Sequence, residues 1–228
     1  PGDRVFVVLI GHGNPRADGA AFNLPGPDIT ASEFATVLDS LGDRLVVIVN
    51  TASASGPFVR ALSAPGRIVI TATSSGREYH ATLFGEHFVA AFAAPGADTN
   101  KDQRISMLEA FAFARHEVKR AYESEKKLLI EHALLDDNGD GEGSLEPGEL
   151  EPDGALAYRT YLQQPPALAL GASPELVGMI ERKQEIEQSI EDLKRQRESL
   201  VRDDYYAQLE ILLIELALLG REIRALED

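Results

Sequence analysis

A histidine between two glycines, Gly11-His12-Gly13, follows one short apolar run, and a stretch of small polar residues, Asn50-Thr51-Ala52-Ser53-Ala54-Ser55-Gly56, follows another. Glycines on both sides of His12 permit a tight turn and close backbone approach to a ligand, and Ser53 offers a hydroxyl that an imidazole could deprotonate. That is the raw material of a nucleophile and base pair. The same residues also describe a Gly-rich surface turn and a Ser-rich helix start, which are common, and spacing alone favours the plainer description. Two other chemistries fail on spacing. A nucleophile elbow needs glycine two positions either side of its serine, where Thr51 and Ser55 stand, and a dinucleotide fingerprint built on Gly11 and Gly13 would place its third glycine at Arg16. The chain has no cysteine, which removes thiol nucleophiles, thiolate metal sites and disulfides.

A second constellation could hold a hard cation. Asp98, Asn100, Asp102, Arg104, Ser106 and Glu109 fit positions 1, 3, 5, 7, 9 and 12 of an EF-hand loop, with Ile105 at the apolar position 8. Ca²⁺ takes about six to eight oxygens, and this spacing wraps three side chains, a backbone carbonyl and a bidentate Glu around one centre. Gln103 stands where glycine normally makes the sharp turn, a departure that weakens the site. Without Ca²⁺, Ser106 and Glu109 are still a capping box, but that explains two of the six residues where the cation explains all six. Asp136, Asn138, Asp140, Gly141, Glu142 and Ser144 repeat the pattern, this time with the glycine in place but with Pro147 where the bidentate Glu belongs. The second loop is a partial site or a solvated acidic turn. His80, His87, His116 and His132 lack partners at zinc-ligand spacing, and a buried, hydrogen-bonded role is expected for each, with His132 beside Glu131 the one to watch.

The elements that must position these residues are legible in the pattern. Val5 to Ile10, Leu45 to Val49 and Ile68 to Ala72 are continuous Val- and Ile-rich runs, the signature of buried parallel strands. Thr30 with Glu33 is a capping box opening a helix through about Leu41, and Thr82 to Ala93 makes a second helix stopped by Pro95 and Gly96. Strand, helix, strand, strand, helix is the grammar of an α/β domain, in which ligands sit just past the carboxyl ends of the strands, where His12 and Ser53 fall. Ile105 to about Leu135 reads as one long helix joining the two acidic loops. Pro165 and Pro166 lie in a linker, and Ser173 and Pro174 then open a final helical segment. Within it Met179, Ile186, Ile190, Leu193 and Leu200, then Leu209, Leu212, Leu216, Leu219, Ile223 and Leu226, keep a 3-4 spacing. The polar break at Arg202, Asp203 and Asp204 suggests a turn and hence a hairpin, although one continuous helix in a coiled-coil dimer fits the same spacing. The expected divisions are 1–97, 98–154, 155–173 and 174–228.

At the strand-end motifs the chain resembles the caspase-like cysteine peptidases, the group of legumains, metacaspases and caspases. In that family a His-Gly pair follows one strand and Cys-x-Ser-Gly the next; His12-Gly13 matches the first and Ser53-Ala54-Ser55-Gly56 the second, with Ser53 standing where the family has its catalytic cysteine. Thr71-Ala72-Thr73-Ser74, followed by Glu78 and Phe84, is similar to the next strand and substrate-pocket loop of legumain-like members, so the resemblance covers roughly the first 95 residues. It implies an α/β fold of the caspase-like parallel-sheet sandwich type, of which this chain would be the second half; the EF-hand-like Ca²⁺-binding insert and the C-terminal α-helical hairpin read from the spacing above are added to it. It also implies an endopeptidase site: His12 as general base, Ser53 as nucleophile, and the N–H groups of Gly13 and Ser53 as the oxyanion hole. Two departures stand out. The nucleophile is not cysteine, and the two strands that precede the histidine strand in the family are not present before Arg4, so the native N-terminus is expected to lie upstream. The rival reading is a pseudoenzyme, a caspase-like scaffold that binds a protein partner, or its own copy, through residues 174–228.

Composition narrows the partners. A net charge of -15, from 22 basic and 37 acidic residues, repels nucleic acid and anionic lipid. Residues 98–154 hold most of the excess, with 7 basic against 15 acidic groups. No run approaches the roughly 18 apolar residues of a membrane span. Peptide or protein partners remain.

Overall fold

The computed structural model describes all residues except 1–3, 18, 43, 103, 163–172, 196, 198, 199 and 228. Gln103, the two linker prolines and Asp18, the acid nearest His12 in sequence, therefore lie outside the described residues. The chain divides into two compact units, residues 1–162 and 163–228.

In the first unit, β1 (Arg4–Leu9), β5 (Leu45–Asn50) and β6 (Arg67–Thr71) run parallel, and β7 (Leu134–Asp136) joins β6 antiparallel, giving the sheet order β1-β5-β6-β7. The mixed sheet is mostly parallel and consistent with a caspase-like fold. Register aligns Leu9, Asn50 and Thr71 at one end, so the chain leaves the sheet there three times. Between β1 and β5 a small antiparallel sheet forms from β2 (Gly13–Arg16), β3 (Gly19–Phe22) and β4 (Ile29–Thr30).

Strand alternation sorts the core into two layers. Val46, Ile48 and Val69 face the helices α1 (Ala31–Asp39) and α2 (Pro57–Leu62), in a cluster that includes Phe22, Leu38, Phe58 and Leu62. Val47, Val49, Ile68 and Ile70 face α3 (Phe84–Ala91) and α4 (Met107–Ser124), in a cluster with Phe84, Phe111 and Val118. Residues of 98–154 thus share one core with the strands. Both capping boxes form, Thr30 with Glu33 and Ser106 with Glu109. The short helix α5 (Ala155–Tyr158) closes the unit.

Three expectations change. The first strand is only half-buried, with Val8 47% exposed, because among the described residues β1 is the sheet edge and has a neighbour on one side only. The long helix expected to Leu135 stops at Ser124: Lys126 takes φ 56°, its N–H bonds the Glu123 carbonyl and the Lys127 N–H bonds the Tyr122 carbonyl. That is a Schellman end built on a lysine rather than the glycine that would announce it. The two acidic loops are therefore joined by a helix, an irregular segment and β7. The helix expected over Thr82 to Ala93 is shorter, Phe84–Ala91; the Thr82 hydroxyl bonds the Thr51 carbonyl at 2.5 Å, and the helix start is held by Glu131.

In the second unit, Leu176 N–H bonds Ser173 Oγ at the start of α6 (Pro174–Arg195). The following helix, α7 (Arg202–Glu227), runs antiparallel to it, bringing Leu176 to Ile223 and Arg182 to Glu215 at 2.7 Å. The polar triplet expected to be the turn is instead the first turn of α7, where Asp203 and Asp204 face the positive end of the helix dipole.

Candidate active site

The outlets of β1 and β5 are adjacent, so the segments after Leu9 and Asn50 meet. Thr51 stitches them together, its N–H and hydroxyl both bonding the Leu9 carbonyl, at 3.0 and 2.9 Å. Two residues on, Ser53 reaches Gly13 at the start of β2. The Ser53 hydroxyl accepts from Gly13 N–H at 3.3 Å and donates to the Gly13 carbonyl at 3.2 Å. Only glycine permits this approach, since a Cβ on residue 13 would sit 2.3 Å from the Ser53 carbonyl oxygen.

The turn that presents Ser53 is strained. Ala54 has φ 54°, a left-handed conformation costly for a residue with a side chain, and its N–H is anchored on the Glu78 carbonyl at 2.8 Å. Beyond it, Thr73 Oγ1 accepts from Gly56 N–H at 3.0 Å and lies 3.1 Å from Ser55 Oγ. Gly56 is packed against the Ser74–Ser75 peptide, with no room for a side chain. Ser53, Ala54 and Ser55 are all buried. Asn50, 1% exposed, accepts from Ala52 N–H through Oδ1 while its Nδ2 is a buried donor without a partner among the described residues.

His12, the expected general base, is exposed, and its backbone carbonyl accepts from Asn23 N–H at 2.9 Å. The structure therefore brings Gly13 and Ser53 together but gives the hydroxyl to the Gly13 backbone and not to the His12 ring. Of the other histidines, His80 and His116 are exposed rather than buried as expected, being on a surface loop and the outer face of α4.

The loop after β6 is clamped at both ends by carboxylates. Glu78 accepts from Ser74 N–H and hydroxyl, at 3.1 and 2.7 Å, and from His132 N–H at 3.0 Å, with His132 Nδ1 also 3.0 Å away. Glu131, 5% exposed, accepts from Leu83 and Phe84 N–H at 2.7 to 3.0 Å; burial pushes its carboxyl above the usual range and these two backbone bonds oppose that push. The sequence marked Glu78 only as part of a resemblance and Glu131 only as a neighbour of His132. Nothing local signals that either closes a loop some fifty residues away.

The acidic loops are ordered by their own backbones. Asp98 Oδ1 and Asn100 Oδ1 accept from Asp102 N–H, and Asp102 Oδ1 from Arg104 N–H, while the Arg104 guanidinium lies 3.5 Å over the Tyr161 ring. Glu109, 4% exposed, accepts from Ser106 through one oxygen and from Thr99 and Asn100 through the other. In the second loop Asp136 accepts from Gly139 and Gly141 N–H, Asn138 from Asp140 N–H and Asp140 from Glu142 N–H. Gly139 and Gly141 take φ 83° and 79°, as the tight winding requires. Asp153, buried beside Asp136, Asp137 and Asp140, is pushed up to about 6, chiefly by burial. Among the described residues no three His, Asp or Glu side chains converge as a metal-holding group.

No curated protein and no solved structure matches the chain. The model of the peptidase C13 family matches residues 1–134, from before β1 into the first residue of β7, so it spans the three parallel strands, both strand-end motifs and the clamped loop. Covering more than half of the chain and agreeing with the outlets of β1 and β5, this match places the chain in the peptidase C13 family, the legumain family of the caspase-like clan, with no cysteine to serve as its nucleophile.

Proposed function

We propose that this chain is a legumain-family protein that receives a peptide at the outlets of β1, β5 and β6 and does not turn it over. The observation that carries this reading is the bonding of Ser53. A hydroxyl is a nucleophile only while a base held in the right tautomer removes its proton, and here the hydroxyl donates to the Gly13 carbonyl instead. It also occupies Gly13 N–H, the donor that the family resemblance assigns to the oxyanion. A thiol at this position would ionise far more readily, with an ordinary pKa near 8.5.

Fluorophosphonate labelling tests the reading. Ser53 should not label, whereas Ser53→Cys should give an iodoacetamide-reactive thiol whose rate drops on His12→Ala. Stoichiometric labelling of Ser53 that His12→Ala abolishes would make this chain a working serine peptidase and defeat the proposal.

We infer also that the acidic loops take Ca²⁺, through Asp98, Asn100, Asp102 and the Arg104 carbonyl with Ser106 and Glu109, and through Asp136, Asn138, Asp140 and Glu142. The grouping of Asp136, Asp137, Asp140 and Asp153 supports this, because a divalent cation at the second loop would relieve the repulsion that adds to burial in raising the Asp153 carboxyl. Bound there, the ion would supply charge neutralisation and order, not catalysis.

A further inference from the structure

Helix α7 carries two apolar stripes, and α6 covers one. Tyr205, Leu209, Leu212, Leu216, Leu219 and Ile223 recur at 4-3-4-3-4 spacing, every one of them buried or half-buried; Ile223 and Leu219 pack with Leu176 and Met179 of α6. Ile211, Ile214 and Leu218 form a second run. At roughly 100° per residue it lies on the far side of α7 from the first. These three residues are 65%, 54% and 47% exposed. An amphipathic helix needs one apolar face, so a second face of β-branched and leucine residues at seam spacing points to a second helical contact.

We propose that the face is covered by the same face of a second copy of this chain, in an antiparallel pairing of α7 with α7 that joins two hairpins into a four-helix bundle. The stripe is self-complementary in that orientation. About a two-fold axis between residues 214 and 215, Ile211 of one chain meets Leu218 of the other and the two Ile214 side chains flank the axis half a residue from it, as an isologous interface requires. The same axis leaves exposed Glu210 about 3 Å, two residues' rise, from the level of exposed Arg221 of the other chain, within reach of these long side chains on both sides of the dyad. A parallel pairing would instead put Glu210 beside Glu210 and Arg221 beside Arg221, like against like. With a chain charge of -15, two matched ion pairs at the seam select this arrangement over an unspecific apolar contact. Antiparallel four-helix packing of two hairpins is an established way to bury such faces. The inference does not depend on whether Ser53 is reactive.

Sedimentation equilibrium of the full chain from about 1 to 100 µM tests it. A dimer of the 24.8 kDa chain is expected. Glu210→Arg and Arg221→Glu should each weaken dimerisation by about tenfold, corresponding to 1.4 kcal/mol, and the double exchange should restore it. These exposed positions leave the hairpin core untouched, so the series does not depend on a variant that fails to fold. Because the chain has no cysteine, Ile214→Cys reports directly on the axis. It should form a disulfide-linked dimer under mild oxidation, whereas Leu226→Cys, 49% exposed but at the helix end, should not. A chain that stays monomeric throughout, or one in which both cysteines cross-link equally as a parallel pair would, overturns the proposal.

Discussion

Glu78 and His132 lie 54 positions apart in the chain and meet at 3.0 Å, with the Glu78 carboxylate also holding both donors of Ser74. This pair fixes the loop after β6 against the segment that leads into β7, and through the Glu78 carbonyl it fixes the strained turn at Ala54. Glu78→Ala should therefore release two backbone donors, Ser74 N–H and His132 N–H, at about 1 to 3 kcal/mol each. Amide exchange at Ser74, His132 and Ala54 should accelerate. Unchanged protection at all three would show that the loop is held by other contacts.

Gly13→Ala tests the close approach of β2 to the nucleophile turn. The new methyl would meet the Ser53 carbonyl oxygen at 2.3 Å, backbone against which no side chain can yield. Overpacking of this kind costs about 1 to 3 kcal/mol. In a Ser53→Cys background the same change should also slow iodoacetamide modification, since Gly13 would be displaced from the thiol. A urea midpoint equal to the parent's would contradict the geometry.

Asp153 gives the fold a pH dependence of definite sign. Its carboxyl is raised from an ordinary value near 3.8 to about 6, so between these values the folded state binds the extra proton. Stability from this group is full below about pH 4 and is lost as pH rises through 6. Asp153→Asn, which keeps the acceptor for Asp137 N–H, should flatten that slope and stabilise the chain at pH 7 by on the order of 2 kcal/mol. Chemical denaturation at pH 4.5 and 7 measures it. A variant less stable than the parent at pH 7 would reverse the assignment.

Ca²⁺ should raise the melting temperature and EDTA should lower it. At about a hundredfold excess over Kd the gain is about 2.7 kcal/mol. Asp98→Ala and Asp136→Ala should each remove part of the response, and the Asp153 slope should shrink when the second loop is loaded. Superimposable melting curves in millimolar Ca²⁺ and in EDTA would exclude both loops.

What can be read from the order of residues is short-range chemistry. Capping boxes at Thr30 and Ser106, the Ser173 cap with Pro174, and the Val- and Ile-rich runs of β1, β5 and β6 are written within a few residues of where they act. The order of His12-Gly13 and Ser53-x-Ser55-Gly56 after two strands was enough to carry the family. That Ser53 is bonded by Gly13 rather than by His12 emerges from packing, because a hydroxyl selects among partners by distances that spacing does not encode. The end of α4 was hidden because a lysine, not a glycine, takes the left-handed position at 126. Glu131 holding the start of α3, 47 residues away, and Glu78 holding His132 were equally invisible. A carboxylate's partner is whichever donor the packed layers leave beside it, and that is fixed by how α3, α4 and β7 close on the sheet, not by any neighbour in the chain.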